Sequence, residues 1–132
     1  MPVVGQGLDL VETARIGRLI DRHGRVFLDR VYTPAEQAYC EANPRRRVEH
    51  YAVRFAAKEA ILKALGTGLT GGIRWTDAHV VRLPSGRPTV GLEGVAQTKA
   101  EDLGARSWLL SLTHVGPMAA ASVIAQTEPS SP

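Results

Sequence analysis

This sequence predicts an α+β fold in which mostly antiparallel strands pack against one long helix, and three observations carry that expectation. Short Val-, Ile- and Leu-rich stretches at 3–12, 73–83, 88–92, 108–113 and 118–125 stand between glycine and proline turns. A helical stretch fills 48–65 and stops at Gly66, which suits a left-handed cap. The order is one strand, three helices, a hairpin, a helix and a second hairpin. Strands joined by tight turns pair antiparallel, and the long helix would cover one face of the sheet.

The first strand, 3–12, is Val- and Leu-rich and opens without a helix cap. Alternation places Val3, Gly5, Gly7, Asp9 and Val11 on one face. Two glycines on a strand face mark a place where a ligand or another backbone comes close. Asp9 sits beside that cleared space. Buried there as an anion it must be paired, protonated or bound to a metal; at an exposed strand end or a turn it would need none of these.

A helix is expected at 13–23, with Ile16, Leu19 and Ile20 turned inward. Arg15, Arg18 and Arg22 follow at i, i+3 and i+7 as an outer stripe, with Arg25 just past its end. Nine of the thirteen arginines lie between residues 15 and 54. Such a face is either simply solvated or complementary to an acidic partner. Thr33-Pro34-Ala35-Glu36 is a capping box with proline at the first helical position, so the second helix should run 34–42 and stop before Asn43-Pro44. Cys40 falls inside it with no activating neighbour in the sequence, which fits a structural thiol. Arg45-Arg46-Arg47 then lead into the third helix, either as a solvated entry run or as phosphate contacts.

Beyond the glycine loop, Gly71 and Gly72 introduce the strand at 73–83, and Pro84-Ser85-Gly86-Arg87 turn it into the strand at 88–92. A helix at 94–103 should stop at Gly104, and 108–113 should pair through Gly116-Pro117 with 118–125. Residues 1–127 read as a single domain, and 128–132 as a polar, disordered tail.

The run from Arg54 to Gly68 carries the chemistry. Glu59 and Lys63 are four apart on one helix face, as an ordinary surface pair worth about 0.3–0.5 kcal/mol would be. Arg54 and Lys58 are also four apart and set like charge beside like charge, which an anion would relieve. Gly66, Thr67 and Gly68 follow, offering backbone and hydroxyl donors to phosphate if they are not occupied as a helix C-cap. His114, on the face shared by Leu110 and Leu112, could donate to a phosphate or close its strand.

Three motifs lie in order along the chain: Gly-x-Gly-x-Asp-Leu-Val-Glu at 5–12, Arg-Phe-Ala-Ala-Lys-Glu-Ala-x-x-Lys-Ala-x-Gly-Thr-Gly at 54–68, and Leu-Ser-Leu-Thr-His at 110–114. Together they resemble the holo-acyl-carrier-protein synthases, the small bacterial 4'-phosphopantetheinyl transferases, over nearly the whole chain. The resemblance implies that family's fold and transfer of phosphopantetheine from coenzyme A to a serine hydroxyl of an acyl carrier protein, releasing adenosine 3',5'-bisphosphate. It implies magnesium on Asp9 and Glu59, with Lys63 stabilising the leaving side. The proton acceptor stays open between Glu59 and a metal-held water polarised by Asp9. Coenzyme A would be held by Arg54, Lys58, Lys63, Gly66, Thr67, Gly68 and His114. Arg15, Arg18, Arg22 and Arg25 would dock the acidic carrier. A homotrimer with sites between subunits is also implied.

Composition agrees. The chain has 132 residues and a single cysteine, which excludes an internal disulfide framework, and no Cys/His spacing resembles a zinc site. No stretch is long and apolar enough for a membrane helix, and no signal pattern opens the chain, so a cytoplasmic protein is expected. Two other readings compete. A basic nucleic-acid-binding module would fit a pI near 9.4, but two Trp, three Tyr and two Phe leave no paired surface aromatics on a strand. A nucleotide hydrolase would keep the metal and phosphate site but use water as nucleophile.

Overall fold

The strand expected at the N-terminus spans Val3–Glu12 (β1), and its cleared face lies directly on the backbone of the long helix Arg47–Leu65 (α4). This is a computed structural model, and it describes residues 2–129. A Cβ built on Gly7 would stand 1.9 Å from the Ala60 carbonyl oxygen, and one on Gly5 would stand 2.2 Å from that of Ala64. Ala60 and Ala64 are one turn apart, so the two glycines meet successive turns of the same helix. The backbone that the glycines make room for is therefore that of α4.

β1 is one edge of a three-stranded antiparallel sheet, ordered β1, β5 (Met118–Gln126) and β4 (Ser107–Val115). The register sets Asp9 opposite Ala121 and Ala121 opposite Leu112; one row along, Val11, Ala119 and His114 line up. These rows share the face that α4 covers, because directly opposed residues in antiparallel strands project to one side. A second, two-stranded sheet pairs β2 (Ala78–Arg82) with β3 (Pro88–Leu92).

The first helix spans Thr13–His23 (α1) with Ile16 and Ile20 buried. A further short helix, Arg25–Val31 (α2), follows Gly24 and was not expected. Seven residues are two turns, too few for an apolar period to stand out; Leu28 and Val31 are buried and Phe27 packs half-buried against the core. The observed order thus has four helices, not three, before the first hairpin. The capping box forms as expected at the start of Pro34–Glu41 (α3): Glu36 N donates to Thr33 Oγ1 at 3.2 Å, and Thr33 N donates to Glu36 Oε1 at 3.0 Å. The fifth helix is Gly94–Leu103 (α5), closed by left-handed Gly104. A 3-10 turn at Trp75–Asp77 replaces the beginning of the strand expected at 73–83. There the Asp77 carboxylate accepts from Arg74 N at 3.0 Å and turns the backbone before β2 can start.

α4 is buried on nearly every side, with the three-stranded sheet against one flank and α1, α3 and β2 against the others. A helix enclosed in this way is the core of its domain. Tyr32 and Tyr51 pack with ring centroids 4.7 Å apart, and the Tyr32 hydroxyl donates to the Tyr51 carbonyl at 2.8 Å. Cys40 is fully buried, and burial pushes its thiol up to about 12, which fits the structural thiol expected from the sequence. No helix among the described residues is long and apolar enough to cross a membrane. Of the expected tail, Glu128 and Pro129 lie outside any strand, and 130–132 fall outside the described residues.

Candidate active site

The close approach of β1 to α4 brings Asp9, Glu59 and Lys63 together. Lys63 Nζ donates to Asp9 Oδ1 at 3.1 Å and to the Leu8 carbonyl at 2.9 Å. Glu59 lies one turn before Lys63 on the same helix, yet Lys63 is paired across to β1 and not with Glu59. The ordinary surface pair between Glu59 and Lys63 is thereby replaced by a bond between distant segments. Burial raises the proton affinity of Glu59 and the nearby Asp9 carboxylate raises it further, while Lys63 and Arg15 offset part of the rise. A half-buried Glu59 carboxylate beside Asp9, with Lys63 paired to Asp9 alone, forms a place where a further cation is stabilised.

Among the described residues, no group of three or more His, Cys, Asp and Glu side chains gathers around one point. A cation here would find two carboxylates and keep its remaining positions for water and phosphate oxygens. That donor set suits magnesium, which takes one or two protein carboxylates and holds its waters tightly.

Two other candidates, Arg54 and His114, meet in a cavity of about 180 Å³ that Tyr39, His50, Arg82 and Thr113 also line. Arg54 is 3% exposed, its guanidinium carbon lies 4.0 Å from the centre of the Tyr39 ring, and its Nε has no hydrogen-bond partner. Arg82 reaches the same ring, 4.7 Å from its centre, and donates to the Tyr39 hydroxyl at 2.8 Å. Arg82 spends its terminal nitrogens on the Tyr39 hydroxyl and the Gly86 carbonyl, whereas Arg54, stacked on the ring with Nε unpaired, keeps N–H groups for an anion. Burial and then the Arg54 charge lower the proton affinity of His50. His114 Nε2 lies 3.3 Å from Thr13 Oγ1 and its Nδ1 3.7 Å from Glu49, so it both joins α1 to β4 and lines the cavity. A larger cavity of about 610 Å³ shares Tyr39, Arg54 and Arg82 and extends to Glu36, His79 and Glu93.

Tyr39, His50 and Arg82 were not anticipated, because no motif marks them. They come from α3, α4 and β2, and only tertiary packing brings them to Arg54.

The structure corrects the assignment of Lys58 to coenzyme A phosphate. Its side chain is 0% exposed, and Nζ donates to Glu36 Oε1 at 2.7 Å, to the Ala78 carbonyl at 2.9 Å and to the Trp75 carbonyl at 3.2 Å. All three protons of the ammonium have protein acceptors. Arg54 and Lys58 therefore do not share an anion.

The glycine loop is likewise occupied in part. Gly66 caps α4 at φ 76°, its N–H pointing to the Leu62 and Lys63 carbonyls, and Thr67 N donates to the Leu62 carbonyl at 3.3 Å. This is a Schellman arrangement, so those two N–H groups are not free for phosphate. Thr67 Oγ1 is buried without a partner, and Gly68 adopts φ 60° in the loop.

Arg15, Arg18 and Arg22 are exposed on the outer face of α1. The Arg15 guanidinium also lies 5.5 Å from the centre of the Phe55 ring, which leads this face toward Glu59. Arg25 opens α2, where it donates to Gln37 Oε1 at 2.6 Å and faces Asp29 at 3.5 Å.

Comparison with known proteins points in one direction. The family model of the 4'-phosphopantetheinyl transferase superfamily matches residues 5–114. The chain is 49% identical over 122 residues to the holo-[acyl-carrier-protein] synthase of Koribacter versatilis, covering 92% of this chain and 97% of that one. The crystal structure of the Neisseria meningitidis holo-[acyl-carrier-protein] synthase is similar with a TM-score of 0.85 and 30% identity, over 95% of this chain and 99% of that one. The Helicobacter pylori enzyme, crystallised in complex with coenzyme A, is similar with a TM-score of 0.80 and 28% identity, over 92% and 99% of the two chains.

Proposed function

Because this chain belongs to the 4'-phosphopantetheinyl transferase superfamily, we propose that it transfers 4'-phosphopantetheine from coenzyme A to a serine hydroxyl of an apo acyl carrier protein, with magnesium at Asp9 and Glu59. The observation that carries this reading is the convergence of Asp9, Glu59 and Lys63 where β1 crosses α4.

Magnesium, when bound, supplies charge neutralisation and polarisation of the coenzyme A pyrophosphate. The serine oxygen forms a bond to phosphorus while the bond to the departing phosphate oxygen breaks, leaving adenosine 3',5'-bisphosphate. Lys63 is placed to stabilise the charge that develops on that oxygen. The serine proton passes either to Glu59 or to a water held at Asp9.

Arg54 precedes Glu59 by five residues, about 7.5 Å along the axis. Five residues also turn the helix by about 140°, so Arg54 leaves α4 on a different side from Glu59, and the nucleotide would be gripped there by Arg54, Tyr39, Arg82 and His114. The exposed arginines of α1 would meet the acidic carrier, raising its association rate and fixing its orientation.

The outer face of the three-stranded sheet bears on assembly. Leu8 and Leu10 are each 62% exposed and Val115 is 72% exposed. The register puts them on one side with Ala120, Ser122 and Ile124. An apolar patch of this kind favours burial against another copy, and a homotrimer through it would pack a neighbouring subunit on the sheet face opposite Asp9. A cytoplasmic location belongs to the same reading.

The test is incubation with coenzyme A and magnesium, with and without apo carrier. Release of adenosine 3',5'-bisphosphate only when carrier is present supports transfer. Equal release without carrier would identify a hydrolase instead.

A further inference from the structure

We infer that Lys58, with Glu36, is a positioning pair that fixes the walls of the Arg54 cavity and thereby sets the affinity for coenzyme A. This rests on the transferase reading above. Lys58 joins α4 to Glu36 of α3 and to the carbonyls of Trp75 and Ala78, as described for its ammonium. Glu36 in turn closes the α3 capping box through Oε1 and accepts from Val80 N of β2 through Oε2 at 3.2 Å. Both side chains are all but inaccessible, at 0% and 1% exposure. One ion pair therefore clamps three elements together.

Each arm of the clamp stands one structural repeat from a wall of the cavity. Lys58 is one helical turn after Arg54, Glu36 is three residues before Tyr39 on α3, and Val80 is two residues before Arg82 on β2. The stacking of both guanidinium groups on the Tyr39 ring, at 4.0 Å and 4.7 Å, depends on how α3, α4 and β2 are held relative to one another. An apolar core could bury the same volume with equal or better stability. It could not supply directional bonds to two carbonyls and an N–H group on neighbouring elements. The pair therefore acts on geometry, and through it on a ligand that it does not touch.

Removing one partner alone leaves a buried charge, so Lys58→Met by itself is expected to be strongly destabilised. The decisive variant is Lys58→Met/Glu36→Gln, which removes both charges while the Gln amide oxygen can still accept from Thr33 N. Thermal melting, calorimetric binding of coenzyme A, and steady-state transfer to carrier are measured on it and on the wild-type protein. The inference expects a folded double variant in which coenzyme A binds at least about tenfold more weakly and its KM rises accordingly. Carrier KM, and kcat at saturating coenzyme A, should stay within about twofold. A folded double variant with wild-type coenzyme A affinity would overturn the inference, as would a loss confined to kcat. Wild-type protein that binds no coenzyme A would instead overturn the transferase reading, and this assignment with it.

Discussion

Adding a single methyl group at Gly7 tests how β1 and α4 are held together. The Gly7→Ala Cβ would lie 1.9 Å from the Ala60 carbonyl oxygen, whereas carbon and carbonyl oxygen settle no closer than about 3.3 Å. The strand would have to retreat by about 1.4 Å. Both clashing groups belong to backbone, so no rotamer change relieves the contact, and Gly7 has no positive φ to complicate the comparison. Overpacking of this kind costs typically 1–3 kcal/mol, and the absence of a soft partner places it near about 3 kcal/mol. For a chain of 132 residues that lowers the melting temperature by roughly 10 °C. Asp9 is two residues along the same strand and would move with it, and a misplacement of about 1 Å can cost 10²-fold in rate. Circular dichroism melts and carrier-dependent transfer, assayed where the variant is still folded, read both effects. Gly17→Ala is the control: its Cβ meets Val48 Cγ1 at 3.4 Å, and in a helix interior alanine should stabilise by about 0.5–1 kcal/mol. A Gly7→Ala protein with wild-type melting and turnover would refute the claim that this contact places Asp9.

Asp9→Asn and Glu59→Gln should each reduce carrier-dependent transfer by about 10²-fold or more with melting temperature within a few degrees of wild type, and substantial turnover in either would remove that residue from the site. Arg15→Glu combined with Arg22→Glu should raise the carrier KM at low salt while coenzyme A binding stays near wild type; a salt-independent, unchanged KM would return these arginines to the solvated surface. Glu41 accepts from Arg47 Nε at 2.7 Å and from the Tyr51 hydroxyl at 2.6 Å, and these bonds hold its carboxyl below the usual glutamate value. A carboxyl lowered by folding stabilises above its unfolded pKa of about 4.3, and the contribution disappears as pH falls through the lower folded value. Glu41→Gln should therefore flatten the loss of stability below about pH 4.3, and an unaltered acid limb in urea titrations would contradict the assignment.

Much of the architecture could be read from residue order because local chemistry and tertiary packing agree there. Gly5 and Gly7 on one strand face announced a close approach, and the approaching group is the carbonyl ladder of α4. Thr33 and Glu36 formed their capping box, and Gly66 took the left-handed cap. Sequence reasoning failed where two elements compete for one side chain. Helical spacing puts Arg54 and Lys58 on one face, but on a helix enclosed all round a shared face says nothing about which neighbour it meets. α3 brings a carboxylate to Lys58 and an aromatic ring to Arg54, so one becomes a clamp and the other lines a cavity. Glu36 looked like a cap alone, and nothing local shows that its second oxygen also reaches Val80 N. Tyr39 and Arg82 are 43 residues apart and carry no motif, so their meeting at Arg54 is a property of the packing. The short helix α2 escaped notice because two turns hold too few apolar positions to establish a period.

Paramagnetic resonance with manganese in place of magnesium addresses the two-carboxylate site most directly. Wild-type protein with coenzyme A should bind one manganese ion per chain and show phosphorus coupling from the pyrophosphate, and both signals should disappear in folded Asp9→Asn and Glu59→Gln variants. Wild-type manganese binding and phosphorus coupling in either variant would contradict the shared site.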